Sequence, residues 1–263
     1  ALAPDHPAVS HVLGRLALQN GDHQWALSLL QQSAQKLPRH PGVLYDYARA
    51  QACLGRLAEA QATMQSAAQL AVPPSQAEAA KHFLALAPLC LASQPVQPSP
   101  PQIQQALQAD TNCLPALYLS ALLQERQNHP QPAQTAYEAL LARFPFFTPA
   151  QKRLADLYLA AGDLPKAFAV AQKTRQALPD DDAVAKTLGI IVFKRGDFSR
   201  AVPLLKEAAR QQTSDPDLFY YLGMAHYRLK QKKESAEALR QAITLKPNAP
   251  FVAEANRILA ESK

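Results

Sequence analysis

PDLFYYLGMAHYRLKQKKESAEALRQAITLKPNA, residues 216–249, carries two amphipathic patterns back to back. Leu218, Phe219, Leu222 and Ala225 recur at helical spacing, and Ala238, Leu239, Ala242 and Ile243 do so again. The polar stretch 230–233 divides the two patterns. Gly223 in the first, and Ser235 and Ala242 in the second, are small enough to let two helix axes approach closely. Pro247 ends the stretch, because proline removes a backbone donor and blocks helix continuation.

The register repeats along the chain. Units begin at Pro7, Pro41, Ala80, Leu114, Thr148, Asp182 and Pro216, with one irregular step, the five extra residues 75–79. The eighth position is Gly14, Ala48, Ala87, Ala121, Ala155, Gly189 and Gly223. The twentieth is Ala26, Ala60, Ser99, Ala133, Ala167, Ala201 and Ser235. Small residues at both positions in every unit mean that two antiparallel helices interdigitate there, and a bulky side chain would cost about 1–3 kcal/mol. Gly21, Gly55, Gly162 and Gly196 fall at the fifteenth position, where glycine can take a left-handed turn between the helices. Asp22, Asp163 and Asp197 follow and can start the second helix.

This pattern resembles the tetratricopeptide repeat, a helix–turn–helix of about 34 residues with Leu-Gly in its first helix and proline at its close. The resemblance covers 7–249. It implies an all-α solenoid of about seven antiparallel helix pairs winding as a right-handed superhelix: 7–40, 41–74, 80–113, 114–147, 148–181, 182–215 and 216–249. A capping helix is expected over 250–261, where Phe251, Val252, Ala255, Ile258 and Leu259 share one face. The third unit departs most. Pro95, Pro98, Pro100 and Pro101 predict an extended loop over 94–101, then a short helix from about Gln102 to Asp110. That segment reads as a joint between two arrays, with a binding loop as the alternative.

Composition agrees with an all-α chain: 263 residues, 48% hydrophobic with much alanine, and only 8 glycines. The apolar run 83–92 is too short to span a bilayer. The net charge of +6 is scattered and favours an acidic partner without demanding nucleic acid. Cys53, Cys90 and Cys113 fit neither a zinc pattern nor a disulfide scaffold. The histidines do not pair at metal-ligand spacing, and phosphate-loop and hydrolase motifs are missing. No enzyme activity, cofactor or metal is expected. The chain reads as soluble, of either the cytoplasm or the cell envelope after loss of an N-terminal segment.

Family resemblance places a binding groove on the first helices of the units. In this register it holds Arg49, Tyr118, Arg126, Lys152, Lys186, Ile190, Phe193, Lys194, Tyr220, Met224, Tyr227 and Arg228. Aromatic anchors beside cations suit a peptide or helix of a partner protein. The Lys and Asn pair by which some relatives grip a chaperone tail is not met, since Asp156 follows Lys152 and Ile190 follows Lys186. The leading expectation is a non-enzymatic interaction module. The alternatives are the accessory region of a larger enzyme or export machine and, below it, RNA binding, which Glu125 and Asp156 in the groove disfavour.

Overall fold

The computed structural model describes residues 6–91 and 99–261. Among the described residues every regular element is an α-helix. α1 (Pro7–Asn20) packs on α2 (His23–Lys36), α3 (Pro41–Cys53) on α4 (Leu57–Gln69), α5 (Pro74–Leu91) on α6 (Pro100–Ala109), and α7 (Leu114–Arg126) on α8 (Pro130–Arg143). Next come α9 (Thr148–Ala161) and α10 (Leu164–Ala177). α11 (Asp182–Lys194) then packs on α12 (Phe198–Ala209), α13 (Pro216–Arg228) on α14 (Lys232–Leu245), and α15 (Val252–Glu261) on α14. Successive pairs touch through α2 and α3, α4 and α5, α10 and α11, and α12 and α13. The chain divides into two compact units, Ala1–Ala150 and Gln151–Lys263.

Local chemistry sets the helix ends. Asp163, Asp181, Asp197 and Asp215 each accept a backbone N–H from three residues on, at 3.0–3.2 Å, and so satisfy a donor that the first turn leaves open. Asp22 stands before α2 but makes no such bond. His40 caps α3 instead of an acid, its Nδ1 accepting from Val43 N–H at 3.2 Å. The turn between paired helices is left-handed at Gly21, Gly55, Gly162 and Gly196, with φ of 78–86°. Asn128 and Lys230 occupy the same register position and the same conformation, each at φ 60°. The turn geometry is therefore imposed by the helix pair and not by glycine; Lys230 bears a cost of about 1–2 kcal/mol that glycine avoids.

Close approach is visible at the eighth position. A Cβ on Gly14 would stand 2.6 Å from Leu30 Cγ, on Gly189 2.9 Å from Leu205 Cγ, and on Gly223 2.7 Å from Leu239 Cγ. Those three leucines are wholly buried. The third pair differs from expectation in two ways. The residues that precede Ala80 lengthen the helix, for α5 starts at Pro74, and Pro88 lies inside it. α6 begins at Pro100 instead of Gln102, because Pro100 and Pro101 occupy the first turn, whose N–H groups need no helical partner. Most of the predicted loop over 94–101 lies outside the described residues.

Candidate functional site

The groove predicted from the sequence divides between the units: Arg49, Tyr118 and Arg126 fall in the first and the other nine in the second. In the first unit Tyr118 is buried and packs edge-on to Phe147, with ring centroids 5.2 Å apart. Its ring is core. Arg126 is exposed at the end of α7, and Arg49 is half-buried over Tyr45.

In the second unit the two groove lysines have acidic partners. Lys152 Nζ lies 2.8 Å from Asp181 Oδ2, and Lys186 Nζ likewise meets Asp215 Oδ2. The same carboxylates cap the next helix through their other oxygens, Asp181 to Val184 and Asp215 to Leu218. Each aspartate thus starts one helix and ties it to the repeat before. Arg175 reinforces the stack with two 2.7 Å bonds to Glu207, and Thr187 donates to Asp156 at 2.8 Å. Burial alone would push the Asp181 carboxyl up; the Lys152 ammonium and the N–H groups of Val184 and Ala183 outweigh it and hold the pKa below the ordinary 3.8.

That lowered pKa fixes the sign of a pH effect. A group with a depressed folded pKa adds stability above its unfolded value, and loses it as pH falls through the folded one. Asparagine caps as well as aspartate but carries no charge. Asp181→Asn is expected to cost about 0.5–1 kcal/mol at pH 7, discounted because the pair is partly exposed. The deficit should start to shrink below about pH 3.9 and vanish only once the pH is below the lowered folded pKa. Urea melts at both pH values check this; a deficit that persists in acid would assign the effect to the cap.

Aromatic rings make the other feature of this unit. Phe193 stands edge-on to Phe198 and to Tyr221, each at 5.4 Å, Tyr221 meets Tyr220 at 5.3 Å, and Tyr220 stacks on Phe251 at 4.7 Å. Arg228 closes the row over Phe198 at 4.5 Å. Of these, Phe198, Tyr221 and Phe251 lie off the register positions that the sequence assigns to the groove. α15 lies against the last repeat: Met224 packs with Ala255 and Ile258, Tyr220 donates to Glu254 at 2.7 Å, and Tyr227 donates to Glu261 at 2.8 Å. Burial and the Glu254 carboxylate push the Tyr220 hydroxyl up, and Glu261 does the same to Tyr227, so both remain donors. Met224, Tyr220 and Tyr227 are therefore engaged by the chain's own last helix.

What remains open is a groove of about 520 Å3 along α9, α11 and α13. Leu159, Ile190 and Tyr221 form its floor, and Lys194, Asp156 and Asp217 stand exposed at its sides. Its charge is mixed, because Lys186 is paired. Chemically it offers an apolar strip with polar groups of both signs at its rim. Among the described residues no group of three or more His, Cys, Asp or Glu could hold a metal ion, and no helix is long and apolar enough to cross a membrane.

Known proteins share this architecture. The chain is 27% identical over 124 residues to the general transcriptional corepressor ssn6 of Schizosaccharomyces pombe, a match that takes in 46% of this chain and 11% of that protein. Among solved structures, MamA from Desulfovibrio magneticus RS-1 superposes with a TM-score of 0.53 at 17% identity, over 66% of this chain and 98% of that one. A structure described as the functional characterization of Pseudomonas aeruginosa pilF covers 97% of both chains, with a TM-score of 0.52 at 13% identity. At such identity these two show a common fold. Two family models, each described as Tetratricopeptide repeat, match residues 118–182 and 187–250, and residues 17–85. With three quarters of its length so matched, the chain belongs to the tetratricopeptide-repeat family.

Proposed function

We propose that the protein is a non-enzymatic interaction scaffold, built as an array of seven helix pairs with α15 as a cap, whose second unit holds an extended segment or helix of a partner protein. The observation that carries this is the groove of Leu159, Ile190 and Tyr221, flanked by Lys194, Asp156 and Asp217. An apolar floor supplies affinity, and fixed charges at the rim set direction and register. Because Lys152 and Lys186 are paired within the array, selectivity for acidic segments rests on Lys194 and Arg228 and is modest. RNA is the weaker reading, for a phosphate chain needs a continuous cationic path.

The test is a paired substitution on the rim and floor, Lys194→Glu with Leu159→Asp, against partners captured by crosslinking and mass spectrometry. Binding is expected to weaken at least about thirty-fold, or roughly 2 kcal/mol, with the helical circular-dichroism melt within a few degrees of wild type. Undiminished capture by the variant would remove this groove as the site. A second reading, the repeat region of a larger assembly, is favoured by the corepressor match, of which the chain spans 11%.

A further inference from the structure

The first unit contains a cavity that the interaction groove does not use. The start of α2 reaches the end of α8: His23 Nε2 donates to the Arg143 carbonyl at 2.9 Å, and its ring stacks on Phe144 at 6.0 Å. These residues are 120 apart in sequence. The contact closes a space of about 400 Å3, within the range of small-molecule sites. Phe83, Leu114 and Phe144 give it apolar walls, and Arg49, Asp110 and His23 give it polar ones.

Arg49 and Asp110 have capacity to spare. With Nε2 donating to a carbonyl, His23 Nδ1 is an acceptor; it is buried and has no hydrogen-bond partner among the described residues. Arg49 reaches Asp46 only at 3.9 Å, and that carboxylate already serves His11 at 2.8 Å and Arg15 at 3.6 Å. The guanidinium is therefore left with donors for another anion. Asp110 accepts from Asn112 N–H at 2.8 Å through one oxygen and makes no ion pair among the described residues. Both charges bear on the same two thiols, since Arg49 lowers and Asp110 raises the pKa values of Cys53 and Cys113. Burial outweighs both and pushes these thiols up, to about 12 and about 11, so they line the cavity as neutral groups.

We propose that this cavity binds a free α-amino acid with an apolar or aromatic side chain. Arg49 takes the carboxylate, Asp110 takes the ammonium, and the side chain lies against Phe83 and Phe144. One cation and one anion inside apolar walls complement a zwitterion, and a simple anion or a hydrocarbon would leave one of them unmatched.

Calorimetric titration of the purified chain with a panel of free amino acids tests it. Phenylalanine and leucine are expected to bind; their carboxamides and N-acetyl derivatives should bind at least about ten-fold more weakly. Arg49→Gln should lose the carboxylate preference and Asp110→Asn the ammonium preference, each with a melt near wild type. Lys194→Glu in the other unit should leave this binding unchanged, so failure here is separable from failure of the interaction groove. No heat with any amino acid, binding only to peptides, or equal affinity in Arg49→Gln would overturn the proposal.

Discussion

Gly55→Ala is expected to destabilise the first unit by about 2–4 kcal/mol, while the same change at Gly21, Gly162 or Gly196 costs about 1. All four glycines have left-handed backbones, with φ near 80°, so each substitution meets the same conformational penalty, offset in part by a stiffer unfolded chain. The difference is space. A Cβ on Gly21, Gly162 or Gly196 meets nothing within 4 Å. A Cβ on Gly55 would stand 2.8 Å from the Phe146 carbonyl oxygen, a backbone atom that no rotamer change can move. Yielding there means shifting the 144–147 loop. That loop carries Phe147, fully buried, and Phe144, on which His23 stacks. The substitution therefore presses on the contact that closes the unit. Trp25, the one tryptophan, lies in α2 beside His23, so its emission in a urea titration follows this unit. If Gly55→Ala and Gly21→Ala shifted the midpoint equally, the close approach would carry no energy.

That contrast also marks what the sequence could reveal. Helix pairs were legible because their causes are local: small residues recurring at two positions, prolines at the breaks, and polar turns. Helix starts could be read from composition at fixed spacing, and α5 begins at Pro74, ahead of Ala80, because the inserted residues extend the helix. The special status of Gly55 was not legible, since the carbonyl that crowds it lies some ninety residues away and nothing at Phe146 announces it. The groove suffered in the same way. Lys152 and Lys186 read as free cations because the sequence shows position on a helix, not the capping aspartate from the next repeat that turns back to meet them. Tyr118 read as an anchor because a register position cannot say which way a ring packs once Phe147 and Tyr137 compete for it.

The second large effect is expected at Gly223, and it exposes a rule linking two register positions. The eighth residue is glycine in three units, and in each the twenty-fourth is leucine: Gly14 with Leu30, Gly189 with Leu205, Gly223 with Leu239. Where the eighth residue is alanine, the twenty-fourth is Met64, Ile103, Tyr137 or Ala171. Leucine branches at Cγ, and Cγ is the atom that a Cβ on Gly223 would strike at 2.7 Å, with Cδ2 at 2.8 Å. Alanine gains about 1 kcal/mol of helix propensity over glycine, yet overpacking here costs more, so Gly223→Ala should lower stability by about 1–2 kcal/mol and Gly223→Val by 3 or more. Gly14→Ala should cost less, although its clash is nominally closer at 2.6 Å. The outer face of α1 is open, with Leu13 and Leu16 at 37% and 49% exposure, so that helix can back away. α13 cannot, being held by α11, α12 and α14. Leu239→Met in the Gly223→Ala background copies the Ala48–Met64 pairing: methionine is unbranched and bends around the new methyl. The double variant should recover at least half of the loss, a coupling of about 1 kcal/mol in a double-mutant cycle. Strict additivity of the two changes would mean that the small residue at the eighth position answers to something other than the leucine facing it.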